Sequence, residues 1–68
     1  MKIKVVMDSG KEYVICEKNY SLNDFTNPFF NELPNGERTL QNTLVYLDQD
    51  EKIVINPTRI SSVEVIEK

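Results

Sequence analysis

The chain has 68 residues, with eight Lys or Arg against eleven Asp or Glu and a net charge of −3. That length allows a single domain, residues 1–68, with a thin core. Histidine is absent and Cys16 is the only cysteine, which excludes an intrachain disulfide, a Cys/His zinc site and every His-based catalytic arrangement.

Residues 2–7 open with strict alternation that places Ile3, Val5 and Met7 on one face. Asp8-Ser9-Gly10 reads as a tight turn, and Gly10 suits the left-handed conformation that closes a three-residue hairpin loop with a bulge. Residues 11–17 form the return strand. In this register Met7 faces Lys11, Val5 faces Tyr13 and Ile3 faces Ile15; a two-residue loop would exchange the partners. Ile3, Val5, Tyr13 and Ile15 then share one face, and Lys4, Val6, Val14 and Cys16 the other.

Ser21, with Asp24 three residues on, carries the signature of a helix start. The segment after it is a weak helix former, and Pro28 is at home only in a first turn. Residues 22–32 therefore read as one kinked helix, or as two short turns with Asn27 capping the second. Leu22, Phe25, Phe29 and Leu33 fall at helical spacing and are expected to face the sheet, with Phe30 to one side. The competing reading makes Phe29–Leu33 a short strand that turns at Pro34-Asn35-Gly36.

A third strand is expected over 39–48, strongest from Thr43 to Leu47. Asp48-Gln49-Asp50-Glu51 reads as a polar turn and 52–56 as a fourth strand. Asn56-Pro57 ends that strand, because proline has no N–H to donate. The last strand is expected from near Ser62, since the Ile60–Val63 gap breaks alternation; Val63 and Val65 share one face, Glu64 and Ile66 the other. The fold class is thus mainly β (α+β), a small open antiparallel barrel in the order β-β-α-β-β-β, its first and last strands brought together.

The stretch Ile55-Asn56-Pro57-Thr58-Arg59-Ile60-Ser61-Ser62-Val63-Glu64 resembles the tail of small bacterial and phage proteins, in which an Asn-Pro turn is followed by an isoleucine and a final strand. The hairpin Asp8-Ser9-Gly10-Lys11-Glu12-Tyr13 resembles their first hairpin. Together the two cover about a third of the chain. The resemblance implies a small SH3-like or Sm-like barrel, of the kind found in Gram-positive bacteria or their phages, and carries no activity with it. In that fold Pro57 fixes a bend, Ile60 plugs one end and Glu64 faces water.

No catalytic site, metal site or cofactor is expected. The only glycines, Gly10 and Gly36, cannot make a phosphate-binding loop. A calcium loop begun at Asp48 would place Ile53 where glycine belongs and Arg59 where glutamate belongs. Glu64 and Glu67 have no water-excluding cleft to share. Cys16, mid-strand without a base, reads as a small packing residue.

Binding is the expected role: a non-enzymatic protein-interaction or accessory module whose partner is another protein or a second copy of itself. Tyr20, Phe25, Phe29 and Phe30 are candidate protein-binding residues, because aromatics dominate binding hot spots; the alternative is that they lid the core. Val6, Val14 and Cys16 are candidates for an oligomer interface. The runner-up is a small nucleic-acid-binding barrel using Lys2, Lys4, Arg38, Lys52 and Arg59, against which the acidic balance argues. The short apolar run after Met1 is too brief for a signal peptide and no run reaches membrane-spanning length, so the expected location is cytoplasmic, with no membrane partner.

Overall fold

A computed structural model describes residues 1–17 and 21–67. The alternating opening segment forms β1 (Lys2–Met7), and the return strand forms β2 (Glu12–Cys16). Their register is the expected one, with Ile3 opposite Ile15 and Val5 opposite Tyr13. The Met7 amide donates to the Lys11 carbonyl at 2.8 Å, and the Gly10 amide to the Met7 carbonyl at 2.9 Å. Gly10 has φ of +90°, the conformation for which its lack of a Cβ is needed.

On its other side β1 pairs antiparallel with β7 (Ile60–Glu67), giving a three-stranded sheet in the order β2-β1-β7. The last strand starts at Ile60 rather than near Ser62. Its register slips between Met7, opposite Ile60, and Val6, opposite Ser62, so that Ser61 is the extra residue of a bulge. The bulge resolves the broken alternation: Ile60 and Val63, three apart, both pack against the core. A second slip lies between Lys2, opposite Glu67, and Ile3, opposite Val65.

Ser21 caps the helix α1 (Leu22–Thr26). Its Oγ accepts from the Asp24 amide at 3.1 Å, and the Asp24 carboxylate accepts from the Ser21 amide at 3.5 Å. A 3₁₀ turn (Asn27–Phe29) follows, with Pro28 in its first turn. Of the two readings of 22–32, two short turns are found, but Thr26 and not Asn27 occupies the cap of the second, and its hydroxyl donates back to the Leu22 and Asn23 carbonyls rather than capping the turn. The chain then extends as β3 (Phe30–Glu32), pairing with β4 (Arg38–Leu40) across the 34–36 turn. That pairing pulls Leu33 out of helical spacing, and it is exposed rather than facing the sheet.

The expected third strand over 39–48 is divided. Its start is β4, and β5 (Val45–Tyr46) belongs to another sheet, paired with β6 (Val54–Ile55). Asn56 then caps a second 3₁₀ turn (Pro57–Arg59), its Oδ1 accepting from the Thr58 amide at 3.0 Å. The order β-β-α-β-β-β is corrected accordingly: the described residues form seven short strands in three antiparallel sheets, β2-β1-β7, β3-β4 and β5-β6, without the hydrogen-bonded ring of a closed barrel. The first and last strands do adjoin. The core is Ile3, Val5, Met7 and Ile15 from the large sheet, Phe25 and Phe29 from the helical segment, and Leu47 and Ile55 from the third sheet. Pro57, which the sequence places at a bend, is fully buried beside them.

Substitution tests the hairpin turn directly. A Cβ at Gly10 meets no atom within 4 Å, so Gly10→Ala adds backbone strain alone. Thermal unfolding should show a loss of about 1 kcal/mol, roughly 4–8 °C in midpoint for a domain this small; an unchanged midpoint would mean that the left-handed turn does not set the register.

Candidate functional site

The structure separates the candidate aromatics. Phe25 and Phe29 are core residues, stacked edge to face with ring centres 5.6 Å apart and planes at 81°. They are corrected from partner anchors to packing, since helical spacing turns both inward. Phe30 is half-buried and packs on the core, and the Arg38 guanidinium lies over its ring at 4.3 Å while donating to Asn27 Oδ1 at 3.1 Å. Its outer face is therefore occupied by the chain's own cation. Tyr20 lies outside the described residues.

The proposed oligomer face is the outer side of the large sheet. Val14 is 55% exposed, Cys16 is exposed and Val6 is half-buried. Charges cross this face: Lys4 Nζ lies 2.7 Å from Glu12 Oε1, and Lys2 Nζ 3.5 Å from Glu67 Oε2. The hydrogen bond and charge of Glu12 raise the Lys4 ammonium above its ordinary range, with Glu64 adding a smaller push. The face is thus a mixed one, not a continuous apolar seam. Cys16 is exposed, so it is not the packing residue expected.

The basic residues do not converge. Lys2 and Lys4 are paired with carboxylates, Arg38 covers Phe30 on the second sheet, and Lys52 is exposed beyond the 48–51 turn. Arg59 sits in the last turn before β7. The Asp48 carboxylate is engaged within the turn, its Oδ1 accepting from the amides of Lys52 at 2.9 Å and Ile53 at 3.0 Å.

A surface that the sequence did not single out lies on the third sheet. Leu44 is 69% exposed, Tyr46 55% and Val54 46%. Tyr46 stands opposite Val54 in register, and Leu44 precedes Tyr46 by the two residues that keep it on the same face. Their neighbours Leu47 and Ile55 are buried and Val45 packs on the core. Leu44-Val45-Tyr46-Leu47 and Ile53-Val54-Ile55 are apolar on both sides, so alternation could not say which residues turn outward. The available signal was the excess: two unbroken apolar runs in a chain too short to bury both sides of each.

One charged group among the described residues is buried. Glu17 is 6% exposed and lines a cavity with Asp24, Phe25, Phe29 and Asp48. Burial pushes its carboxyl above the ordinary range; the nearby Asp48 and Asp50 charges add to this, and the amino-terminal ammonium opposes it.

No known protein family, curated protein or solved structure matches the chain, so the barrel resemblance stands on the two quoted stretches alone.

Two outcomes follow. Because the Glu17 carboxyl is raised in the folded state, its charge costs stability at neutral pH. That cost is relieved as pH falls through the folded value toward the ordinary carboxylate range. Glu17→Gln should raise the unfolding midpoint at neutral pH and flatten the acid side of the stability profile; a lower neutral midpoint would show the charge to be stabilising. Phe30→Ala should cost about 2 kcal/mol by denaturant unfolding, from lost burial and the lost cation contact. A neutral result would return Phe30 to the surface.

Proposed function

We propose that the chain is a non-enzymatic protein-interaction module that binds another protein through Leu44, Tyr46 and Val54. The observation that carries this reading is the grouping of these three apolar side chains, each about half exposed or more, on one face of the β5-β6 ribbon. Water contact with such surface is unfavourable by about 25 cal/mol per Å², and a partner that covers it recovers that free energy. A tyrosine between two aliphatic residues is a common form of binding hot spot. In this reading the three sheets act together as a small open barrel, and the ribbon is the part of its wall that faces the partner.

The alternatives have less support. The outer face of the large sheet is crossed by two ion pairs, which a second copy would have to desolvate. A polyanion needs several converging cations, and of the candidates Lys2 and Lys4 are paired with carboxylates and Arg38 lies over Phe30.

The test is affinity capture from lysate with and without nuclease, with wild-type chain and a Leu44→Ser/Tyr46→Ser variant side by side. Both side chains are surface-exposed, so the variant should keep the wild-type circular dichroism and unfold within about 0.5 kcal/mol of it. A protein held by the wild type and lost by the variant is the expected result. Equal retention by both, or loss of all partners on nuclease treatment, would remove the ribbon from the function.

A further inference from the structure

A groove runs beside the proposed binding face, between the first hairpin and the β5-β6 ribbon. Tyr13 and Lys11 line it from the hairpin, Leu44 and Val54 from the ribbon, and Asp8 and Arg59 also border it. From this groove we infer that the module takes an extended acidic peptide segment, with carboxylates alternating with apolar side chains. The inference rests on the protein-interaction reading above and adds the chemistry of the partner.

Charge complementarity is the first argument. Lys2 and Lys4 are in ion pairs on the large sheet, whereas neither Lys11 nor Arg59 has one among the described residues. The carboxylate at the groove is Asp8, and its Oδ1 already accepts from the Ser61 hydroxyl at 2.6 Å. Two cations against one anion leave the groove at +1 in a chain of net charge −3. The cations lie beside apolar surface, with the Lys11 ammonium 5.7 Å from the centre of the Tyr13 ring. A ligand that satisfies both features carries carboxylates next to aliphatic groups.

Backbone is the second argument. β6 pairs with β5 and with no other described strand, so one of its edges is free. Val54, Ile55 and Asn56 border the groove consecutively, although the Ile55 side chain is buried in the core. The Leu47 amide donates to the Ile53 carbonyl, so along β6 the backbone groups of Ile53 and Ile55 turn toward β5 and those of Val54 turn to the free edge. An extended segment laid along that edge can bond to the Val54 amide and carbonyl while its alternate side chains meet Leu44 and Val54.

Rigidity is the third. The Asp8 amide donates to the Arg59 carbonyl at 2.8 Å. With the Ser61 bond, this ties the hairpin turn to the segment carrying Arg59, so the backbone stretches that carry the two cations are joined before a ligand arrives. Two cations are too few for strong nucleic-acid binding, which favours the peptide.

The experiment is an amide chemical-shift titration of the full chain with the capped peptide Ser-Leu-Glu-Leu-Glu-Ser, its glutamine counterpart and a short oligothymidylate. The glutamate peptide should shift Lys11, Leu44, Val54, Ile55 and Arg59. It should bind about fivefold more tightly than the glutamine peptide, the sum for two partly exposed ion pairs. Lys11→Glu with Arg59→Glu should abolish that preference and leave the glutamine peptide unaffected; Lys11→Gln with Arg59→Gln serves if charge reversal unfolds the chain. Equal affinity for the two peptides overturns the acidic specificity. Shifts elsewhere, or none at millimolar peptide, overturn the groove. Displacement of the glutamate peptide by oligothymidylate reassigns the groove to a polyanion. Failure here with partner capture still lost in the Leu44→Ser/Tyr46→Ser variant sinks the groove chemistry alone, whereas unchanged capture in that variant sinks the interaction reading beneath it.

Discussion

The pairing of β1 with both β2 and β7 is the constraint on which the rest of the structure depends. Ile3 and Val5 are completely buried at the centre of that sheet, flanked by Ile15 and Tyr13 on one side and Val65 and Val63 on the other. Burying an aliphatic side chain of this size stabilises by about 2 kcal/mol, and a slip of one residue would turn both into solvent. Gly10 holds the register on one side and the Ser61 bulge on the other. The bulge also supplies the hydroxyl that meets Asp8, so one irregularity sets a strand register and joins a turn to the chain's last third.

The two smaller sheets are different in kind. Strands of two or three residues are not stable as isolated ribbons, and these are held in place by side chains. Gln41 Nε2 donates to the Pro28 carbonyl at 2.7 Å and its amide to the Phe29 carbonyl at 2.8 Å, which ties β4 to the helical segment. Asn56 Nδ2 donates to Asn42 Oδ1 at 2.9 Å, joining the two ends of the β5-β6 ribbon. Val45, Leu47 and Ile55 then anchor that ribbon in the core. The proposed binding face thus lies on an element with few backbone bonds of its own, the less stable part of a structure from which ligand-binding segments are commonly drawn.

How far the sequence could be read depended on whether one local signal stood alone. The first hairpin and the capped helix start were legible because only the three-residue loop, of the two weighed, gives Gly10 a use, and Ser21 with Asp24 fits one role. The tail was legible in its faces but not in its start, because a bulge imitates the end of a strand. The middle was left between two readings where two signals competed, and the structure takes the strand, as β3 (Phe30–Glu32). Phe25, Phe29 and Leu33 share a helical spacing, yet Pro28 and the 34–36 turn divert the chain into β3 before Leu33. Residues 44–47 and 53–55 are apolar on both faces, so which side turns outward was settled by what the rest of the chain could cover. The candidate site was misplaced for a related reason: phenylalanine is as suited to a core as to a hot spot, and here the core takes Phe25 and Phe29 while Leu44, Tyr46 and Val54 stay outside.

The position of β7 also has a temporal consequence. β1 is the first of the seven strands to leave the ribosome and β7 the last, yet the two lie side by side. During synthesis the edge of β1 that β7 will cover, with Ile3 and Val5 beside it, waits unpaired until β7 itself has been made. Contacts so distant along the chain make folding slow relative to local hairpin closure. For that interval the nascent protein is a hairpin with an open, sticky flank, the stage at which a chaperone would find it and at which a premature stop codon would release an aggregating fragment.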